Sequence, residues 1–511
     1  MTQEAPISPP EADAYLTAQG LSEQLKHRSA RGGALMIVSY AIQMAVGVGG
    51  TAILARMLTP EEFGLPGTVG IFIAFIVTLR EFLLQPAVQR DKLSHQQASG
   101  LFWINVAASL VVAVVVALLA PVLAMVFGRS QLLGITLVMA IGMFFSMVGM
   151  LHVGLLRRQL RFGAITTMEI GSVAAGVVVG VTAAYYRAGY WALVYQQLTV
   201  WLWQTGASWL MCRWRPAPIR ESVFHSDEGV RSMISYGQSA TASRMLGIIG
   251  RNMDVVFVGY FFGPASLALY QKANLWALTP YWQIFIPITP VAISTLSRLQ
   301  DDNERYRLYA RTLLIGMFGV ALPGTALLAI EADHVIPLLM GSQWLDAIPL
   351  LPILCAAAWC TTLTAPMQWM YLAEGRTRTQ LTWSLISTPL MIFGIASGIP
   401  WGYWGTAVGF AISVIVLTIP TIWFCLRESP ITLRIFGESL WRAAAASVLA
   451  GAGLLTIRHF YHPNAVVFAK FTLFSGVYTL LYAAIWIMLP GGWATLLEFL
   501  RHFRELRQGS A

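Results

Sequence analysis

Gly189-Tyr190-Trp191 recurs as Gly402-Tyr403-Trp404 about 213 positions later, and each copy lies in strongly apolar sequence. A second pair keeps this offset, because Gly128-Arg129-Ser130-Gln131 is matched by Gly341-Ser342-Gln343. Two pairs at one offset indicate that the chain contains a long internal repeat.

A third pair lies earlier in each half of the chain. Thr59-Pro60-Glu61-Glu62-Phe63-Gly64-Leu65 aligns with Gly263-Pro264-Ala265-Ser266-Leu267-Ala268-Leu269, about 204 positions on. A period near 200 residues is far too long for a solenoid. In a membrane protein it predicts two similar helical bundles with a site between them, which is how many transporters are built.

The composition predicts an all-α polytopic membrane protein. Hydrophobic residues make up 57% of the 511 residues, charged residues make up 11%, and the mean hydropathy is +0.64. A soluble domain carries about 25% charge. Apolar runs of ~20 residues, the length of a helix that crosses hydrocarbon, recur along the chain. About 14 transmembrane helices are predicted, centred near Val46, Ala74, Val114, Met143, Val178, Val200, Gly247, Ile284, Val320, Cys355, Leu390, Ser413, Leu449 and Val477.

We expect two repeated six-helix lobes followed by a C-terminal helix pair. The predicted segments are a cytosolic N-terminal tail (1–32), an N-lobe of helices 1–6 (33–212), a cytosolic linker (213–232), a C-lobe of helices 7–12 (233–426), helices 13–14 (427–490) and a cytosolic amphipathic C-terminal tail (491–511).

The distribution of Lys and Arg predicts the orientation, because cytoplasmic loops carry these residues in excess. With both termini in the cytoplasm, the inner segments hold roughly 24 of the 33 basic residues. The net charge of +9 is therefore explained by topology. Nucleic-acid binding is not expected, because the basic residues are scattered and form no single patch.

Several missing motifs narrow the function. No G-x-x-x-x-G-K-[ST] motif is present, so ATP binding by a P-loop is not expected. The four cysteines have no metal-ligand spacing, and we predict no metal and no cofactor. The predicted outer loops are too short for a catalytic domain, so we expect a protein that is not an enzyme. Transport would then use an ion gradient or the gradient of the substrate itself.

The predicted seventh span, Met233–Phe262, carries an unusual polar stripe. The candidate residues within about 80° of Arg244 on a helical wheel are Tyr236, Thr241, Arg251 and Asp254. Arg244 and Arg251 are seven positions apart, which places them about 10 Å apart on one face. Asp254 is three positions beyond Arg251 and so close enough to pair with it.

Two interpretations of this stripe remain open. An ionised side chain at the centre of a span costs about 2.5–3.5 kcal/mol on insertion scales, so such charges need partners or water. The stripe is either an interhelical ion-pair set that holds the bundle together or the wall of a hydrated cavity. In a cavity, Arg244, Arg251, Tyr236 and Thr241 would bind an anionic substrate, and Asp254 would couple transport to an ion.

Arg80 and Glu81, late in the second predicted span, add one further candidate for each role. Arg80 would bind the substrate and Glu81 would couple to an ion. The alternative is that both side chains extend to the inner interface.

The stretch Ile53-Leu54-Ala55-Arg56-Met57-Leu58 and the Thr59–Leu65 segment after it resemble the opening signature of bacterial polysaccharide-export flippases. These are Wzx-type proteins, similar to the colanic-acid and xanthan exporters, in the multidrug/oligosaccharidyl-lipid/polysaccharide superfamily. The resemblance covers most of residues 30–430. It continues through Gln89-Arg90, Leu101-Phe102-Trp103, Leu160-Arg161-Phe162, Arg251-Asn252-Met253-Asp254, Leu296-Ser297-Arg298-Leu299-Gln300 and Gly341-Ser342-Gln343-Trp344.

The resemblance implies a flippase for a polyprenyl-pyrophosphate-linked oligosaccharide in the bacterial inner membrane. It also implies a cavity lined mainly by helices one, two, seven and eight. The partners it implies are membrane lipids and a polymerase or export machinery of the same pathway. Arg80-Glu81 departs from the family pattern, and no family role is carried onto it. The alternatives are an organic-cation or multidrug antiporter of the same architecture, a flippase for the peptidoglycan lipid precursor, and a polymerase-type membrane enzyme.

Overall fold

The computed structural model describes residues 25–70, 94–159, 161–219, 238–461 and 466–495. Every regular element in these ranges is helical, which confirms the all-α class. Ten helical segments there are long and apolar enough to cross a membrane. Two of them, Asn252–Arg298 and Thr377–Leu426, have 47 and 50 residues, more than twice the ~20 that one crossing needs. The number fourteen stays a prediction, because residues 71–93 lie outside the described ranges.

The described chain divides into two compact units. The first holds the residues up to Leu58 and Leu65–Thr241, and the second holds Thr59–Gly64 and the residues from Ala242 onward. The segment boundaries that the sequence suggested stay a prediction.

The described residues of the first half form seven helices. They are α1 (Leu25–Met57), α2 (described over 60–70), α3 (His95–Val126), α4 (Gln131–Val148), α5 (Met150–Arg158), α6 (Phe162–Tyr185) and α7 (Trp191–Met211). In the first unit α6 packs against both α1 and α7, and α3 packs against α4. The helix α1 begins at Leu25, and its apolar part begins at Val38.

The described residues of the second half form nine α-helices and two short 3-10 helices. They are α8 (Gln238–Arg298), α9 (Asn303–Ile330), α10 (Ala332–Met340), η1 (Ser342–Ala347), α11 (Leu350–Thr364), α12 (Pro366–Ala373), α13 (Thr377–Ser397), η2 (Ile399–Trp401), α14 (Gly402–Leu426), α15 (Leu433–Phe460) and α16 (Val467–Met488). The helix α8 is interrupted at Gly263, whose φ is 81°. The helices α13 and α14 form a hairpin, since Trp383 Nε1 donates to Thr421 Oγ1 at 3.1 Å from 38 positions away.

The repeated glycines of the sequence mark repeated backbone turns. Gly128 and Gly341 have φ values of 62° and 91°, and Gly189 and Gly402 have values of 57° and 77°. A side chain strongly disfavours this left-handed conformation, so glycine is the residue that it requires. The internal repeat is therefore a repeat of backbone conformation as well as of amino-acid sequence.

A side-chain contact is also repeated at the ends of two equivalent helices. Arg161 Nη1 donates to Met211 O at 3.2 Å at the end of α7, and Arg376 Nη2 donates to Cys425 O at 3.1 Å near the end of α14. The last carbonyls of a helix lack intrahelical donors and carry partial negative charge, so an arginine there both satisfies and stabilises them.

The start of the predicted linker is packed onto the first unit. Trp214 is fully buried, and its Nε1 donates to His95 Nδ1 at 3.2 Å. Ala217 N donates to Ser99 Oγ at 2.9 Å, and Trp103 Nε1 donates to Ala217 O at 2.8 Å. Residues 212–219 are thus held along the start of α3, whereas 220–237 lie outside the described residues.

The Thr59–Gly64 segment starts α2 and packs within the second unit. Thr59 and Glu62 form a capping box, with Thr59 N donating to Glu62 Oε2 at 2.8 Å and Glu62 N donating to Thr59 Oγ1 at 3.3 Å. Phe63 packs edge-on against Trp344 at 5.2 Å between ring centroids. Gly64 lies so close to Pro264 that an added Cβ would be 1.8 Å from the Pro264 carbonyl oxygen.

A buried ion-pair cluster joins the end of α9 to α15. Glu331 is fully buried, and its Oε1 lies 3.1 Å from Arg458 Nη1, while His334 Nδ1 lies 2.8 Å from its Oε2. Asp333 also pairs with Arg458. Burial raises the pKa of the Glu331 carboxyl, and the adjacent His334 and Arg458 favour its ionised form. The cluster fixes the C-terminal helix pair to the rest of the second unit.

Glycines lie at close helix contacts in each unit. An added Cβ at Gly50 of α1 would lie 2.4 Å from Val177 Cγ2 of α6, and one at Gly250 of α8 would lie 3.0 Å from Thr388 Cγ2 of α13. α1 therefore packs closely on α6, and the first arm of α8 packs closely on α13. Small residues allow such close approach, and in lipid close packing is a main source of helix association.

We expect Gly50→Ala to lower the free energy of unfolding by about 1–3 kcal/mol, because Val177 leaves no room for a methyl group. Both methyls and the Cβ of Val177 lie within 3.2 Å of the added atom, so rotation of this side chain does not relieve the clash. Gly47→Ala on the same helix is the control, because an added Cβ there has no neighbour within 4 Å. Thermal unfolding of the purified variants in detergent measures the difference, and equal midpoints would contradict the prediction.

Candidate functional site

A carboxyl and a phenol meet inside the bent helix α8. Tyr270 Oη donates to Asp254 Oδ2 at 2.6 Å, and neither side chain is exposed. Sixteen residues of straight helix would separate them by about 24 Å. The hydrogen bond therefore shows that the chain reverses at Gly263 and that the two arms of α8 lie side by side.

Only one of the two oxygens of the Asp254 carboxyl accepts a hydrogen bond from the described residues. Its Oδ1 is buried and accepts no hydrogen bond from the described residues. A buried acceptor that lacks a donor costs about 1–3 kcal/mol. A carboxyl kept in this state within a span is a candidate for binding a proton or a cation. The pairing of Asp254 with Arg251 stays a prediction, because the Arg251 side chain lies outside the described part.

The other predicted site residues are located only in part. Arg80, Glu81 and Tyr236 lie outside the described residues. The backbone at Thr241, Arg244 and Arg251 is helical and belongs to the first arm of α8, and the side chains of these three residues are not among those described. By the helical rise, Arg244 lies about 28 Å and Arg251 about 18 Å from the bend at Gly263.

Lys272, on the second arm of α8, is a charged residue that the sequence interpretation did not select. Its Nζ lies 4.7 Å from the centroid of the Phe63 ring, and the side chain is half-buried. Lys272 is the only charged residue between Gly263 and Arg298, and an isolated charge in so apolar a run is a signal that could have identified it.

Glu169 of α6 is a second charged residue that was missed, and it belongs to the first unit. Gln43 Nε2 of α1 donates to Glu169 Oε2 at 3.1 Å and also contacts Ser39 Oγ at 3.0 Å. Nearby, Gln204 Nε2 of α7 donates to Ser172 Oγ at 3.3 Å. Glu169 is the only charged residue of α6, and that isolation was its signal in the sequence. The three helices thus share a polar network at membrane depth.

An apolar cavity in the second unit has a different character. It has a volume of about 230 Å³ and lies between α9 and α16. Its lining consists of Ile315, Gly316, Gly319, Val320, Tyr482, Ala483, Trp486 and Ile487. The Tyr482 hydroxyl already donates to Gly319 O at 2.8 Å. The cavity offers little to a polar ligand, and we place the candidate site at the charged residues of α8.

Comparison with known proteins identifies one matching family. The family described as polysaccharide biosynthesis protein matches residues 53–349, more than half of the chain. The chain is 24% identical over 398 residues to the lipopolysaccharide biosynthesis protein WzxC of Escherichia coli K12, an alignment that covers 77% of this chain and 80% of WzxC. It is 24% identical over 401 residues to the succinoglycan biosynthesis transport protein ExoT of Rhizobium meliloti 1021, covering 78% of this chain and 77% of ExoT.

Solved structures share the fold. The lipid II flippase MurJ in an inward closed conformation superposes with a TM-score of 0.64 at 13% identity, over 88% of this chain and 97% of MurJ. An inward-facing multidrug resistance MATE family transporter superposes with a TM-score of 0.60 at 14% identity, over 76% of this chain and 97% of the transporter. Since one fold serves a lipid flippase and a drug transporter, the fold alone does not identify the substrate.

We expect Tyr270→Phe to lower the free energy of unfolding by about 1–3 kcal/mol, because it removes the only described donor to a buried carboxyl. The loss should shrink when Asp254→Asn is already present, because the two residues form one interaction. A double-mutant cycle of thermal or denaturant unfolding in detergent measures this coupling. Strictly additive effects of the two substitutions would argue against the pair.

Proposed function

The chain belongs to the polysaccharide biosynthesis protein family, and from this membership we propose that it is a flippase for a polyprenyl-pyrophosphate-linked oligosaccharide. It moves the oligosaccharide repeat unit from the cytoplasmic to the periplasmic face of the bacterial inner membrane, for exopolysaccharide or O-antigen synthesis. The observation that carries this proposal is the family match over residues 53–349. The names of the relatives, lipopolysaccharide biosynthesis for WzxC and succinoglycan transport for ExoT, support it.

A lipid-linked sugar is too polar to cross hydrocarbon unaided, and the polar residues of the spans would lower this cost. Each sugar hydroxyl costs roughly 4–8 kcal/mol to place without a partner in hydrocarbon. A hydrated path removes most of this cost while the lipid tail stays in the bilayer. The linking pyrophosphate is anionic, and the planar guanidinium of arginine binds phosphate oxygens in pairs. Arg244 and Arg251, about 10 Å apart along one arm of α8, would bind the pyrophosphate at two depths.

Transport proceeds by alternating access, so that the binding residues open to one face of the membrane at a time. Asp254 couples this change to an ion gradient, since its buried Oδ1 accepts no hydrogen bond from any described residue. Arg80, Tyr236 and Thr241 complete the substrate contacts, and Glu81 is a second coupling carboxyl. Both termini lie in the cytoplasm, and the polymerase and export machinery of the same pathway receive the product.

An organic-cation antiporter of the same architecture is the second candidate function. The shared fold with the MATE transporter is the observation that favours it. A cationic drug needs carboxylates in its path, whereas α8 carries four basic residues against the single acid Asp254. A flippase for the peptidoglycan precursor is a third candidate, on the likeness to MurJ. The family match to polysaccharide biosynthesis favours the sugar-lipid substrate over both.

Replacing Arg244 or Arg251 with Ala should reduce polymer export at least about tenfold, because each change removes a charge-assisted contact to phosphate. Lys at either position should retain part of the activity, since it keeps the charge but loses the paired geometry. The measurement is complementation of a polymer-deficient strain, with membrane insertion checked by blotting.

Arg434→Ala is the matched control, because Arg434 is 87% exposed and pairs only with Glu438 in the described chain. It should export polymer normally. Wild-type export from the Arg244→Ala, Arg251→Ala double variant would refute the role of both arginines.

Asp254→Asn should flatten the dependence of flipping on an imposed proton or sodium gradient, because the amide neither binds a proton nor carries a charge. Flipping is measured in proteoliposomes with and without each gradient. A purely structural role would instead lower the yield of folded protein and leave the gradient response intact. That second pattern would remove Asp254 from the coupling step.

A further inference from the structure

We infer that Lys272, held against the ring of Phe63, is an additional anion-binding position of the second unit, which takes an oxyanion of the transported lipid-linked sugar. The inference rests on the proposed function, because it is that function which brings an oxyanion to this depth. The oxyanion is either the linking pyrophosphate or the carboxylate of an acidic sugar. Both offer the same chemistry to an ammonium group.

Lys272 is separate from the Asp254 pair although it lies on the same hairpin. Tyr270 faces Asp254 across the two arms of α8. Lys272 is two positions further along, which turns its side chain by about 200° on the helix. It therefore points away from Asp254 and toward Phe63. The carboxyl of the hairpin does not neutralise this cation.

The ammonium of Lys272 is held in place, and it has no ion-pair partner among the described residues. Phe63 is fixed by its edge-on contact with the fully buried Trp344, and it presents its face to Lys272 Nζ at 4.7 Å. No hydrogen bond or ion pair joins Lys272 Nζ to another residue within the described part of the chain. The π face attracts the cation but accepts none of its N–H donors strongly, so these donors remain available to an anion.

An ammonium in so apolar a helix is costly unless it has a partner or access to water. Ionisable residues in spans are rare and usually pair with one another or line a hydrated path. Lys272 is half-buried and therefore not sealed from a ligand. Every residue of the arrangement, Phe63, Lys272 and Trp344, lies in the second unit.

The position of Lys272 extends the series of cations along α8. From the bend at Gly263, Arg244 lies about 28 Å away, Arg251 about 18 Å and Lys272 about 13 Å. In the predicted orientation the bend is at the periplasmic side. Lys272 is then further out than Arg244 and Arg251, and it would hold the anion after Arg251 and before release. An ammonium suits a release position, because it binds phosphate as a point charge without the paired geometry of arginine.

The small number of lysines allows this position to be observed directly. The chain contains only Lys26, Lys92, Lys272 and Lys470. Reductive methylation with 13C-formaldehyde keeps the charge of each lysine and gives each a separate NMR signal, and Lys272→Arg identifies the signal of Lys272. Farnesyl pyrophosphate is the lipid-pyrophosphate probe, glucuronic acid is the sugar-carboxylate probe, and farnesol is the neutral control.

We expect the Lys272 signal to shift saturably with one or both anions and not with farnesol, while the Lys470 signal stays unchanged. A shift with only one of the two anions identifies the source of the oxyanion. Lys272→Gln should weaken binding of that probe about tenfold, Lys272→Arg should keep binding within about threefold, and Lys470→Gln should have no effect. If Lys272 resists methylation, the affinities of these variants for the probe test the inference instead of the NMR signal. An unmoved Lys272 signal at saturating levels of both anions, or unchanged affinity in Lys272→Gln, would overturn the inference.

Polymer export distinguishes this inference from the proposed function. Loss of export in Arg244→Ala together with an unmoved Lys272 signal would leave the flippase standing and remove Lys272 from it. A clear shift of the Lys272 signal together with normal export from all three cation variants would establish the anion site and contradict the proposed role in export.

Discussion

A polar group inside hydrocarbon must find its partner within the protein or in bound water, and much of this structure follows from that constraint. Gln43 of α1 reaches Glu169 of α6, and Tyr270 reaches Asp254 across the bend of α8. These contacts join residues that are far apart in sequence. They hold specific helices side by side, and they mark the few positions where a charge is kept despite its cost.

The same environment explains why glycine is so frequent at helix contacts. Lipid tails are as apolar as leucine, so helices gain little by hiding leucine from them, and close packing becomes the main attraction. In the α13–α14 hairpin an added Cβ at Gly394 would lie 1.9 Å from Ser413 Oγ, and one at Gly398 would lie 2.1 Å from the carbonyl oxygen of Gly405. Neither position has room for a side chain.

Fold class, repeat and family could be read from the sequence because they depend on local composition and on motifs with a constant offset. The site could be read only in part. Asp254 stands out as an acid in an apolar span, and a wheel of one straight helix suggests Arg251 as its partner. The described partner is Tyr270, which becomes a neighbour only through the reversal at Gly263. Lys272 and Glu169 also stand out in the sequence as isolated charges. Their neighbours, Phe63 and Gln43, come from other helices and could not be predicted from local sequence.

The Thr59–Gly64 segment has a consequence for the order of events during synthesis. It is translated with the first helices, yet its contacts, such as Phe63 on Trp344, lie in the second unit. About 280 residues separate the two rings along the chain, which corresponds to roughly 15–60 s at ~5–20 residues per second. During that interval Phe63 has no Trp344 to pack against. The insertion machinery or surrounding lipid must shelter this aromatic side chain until the ribosome has completed its partner.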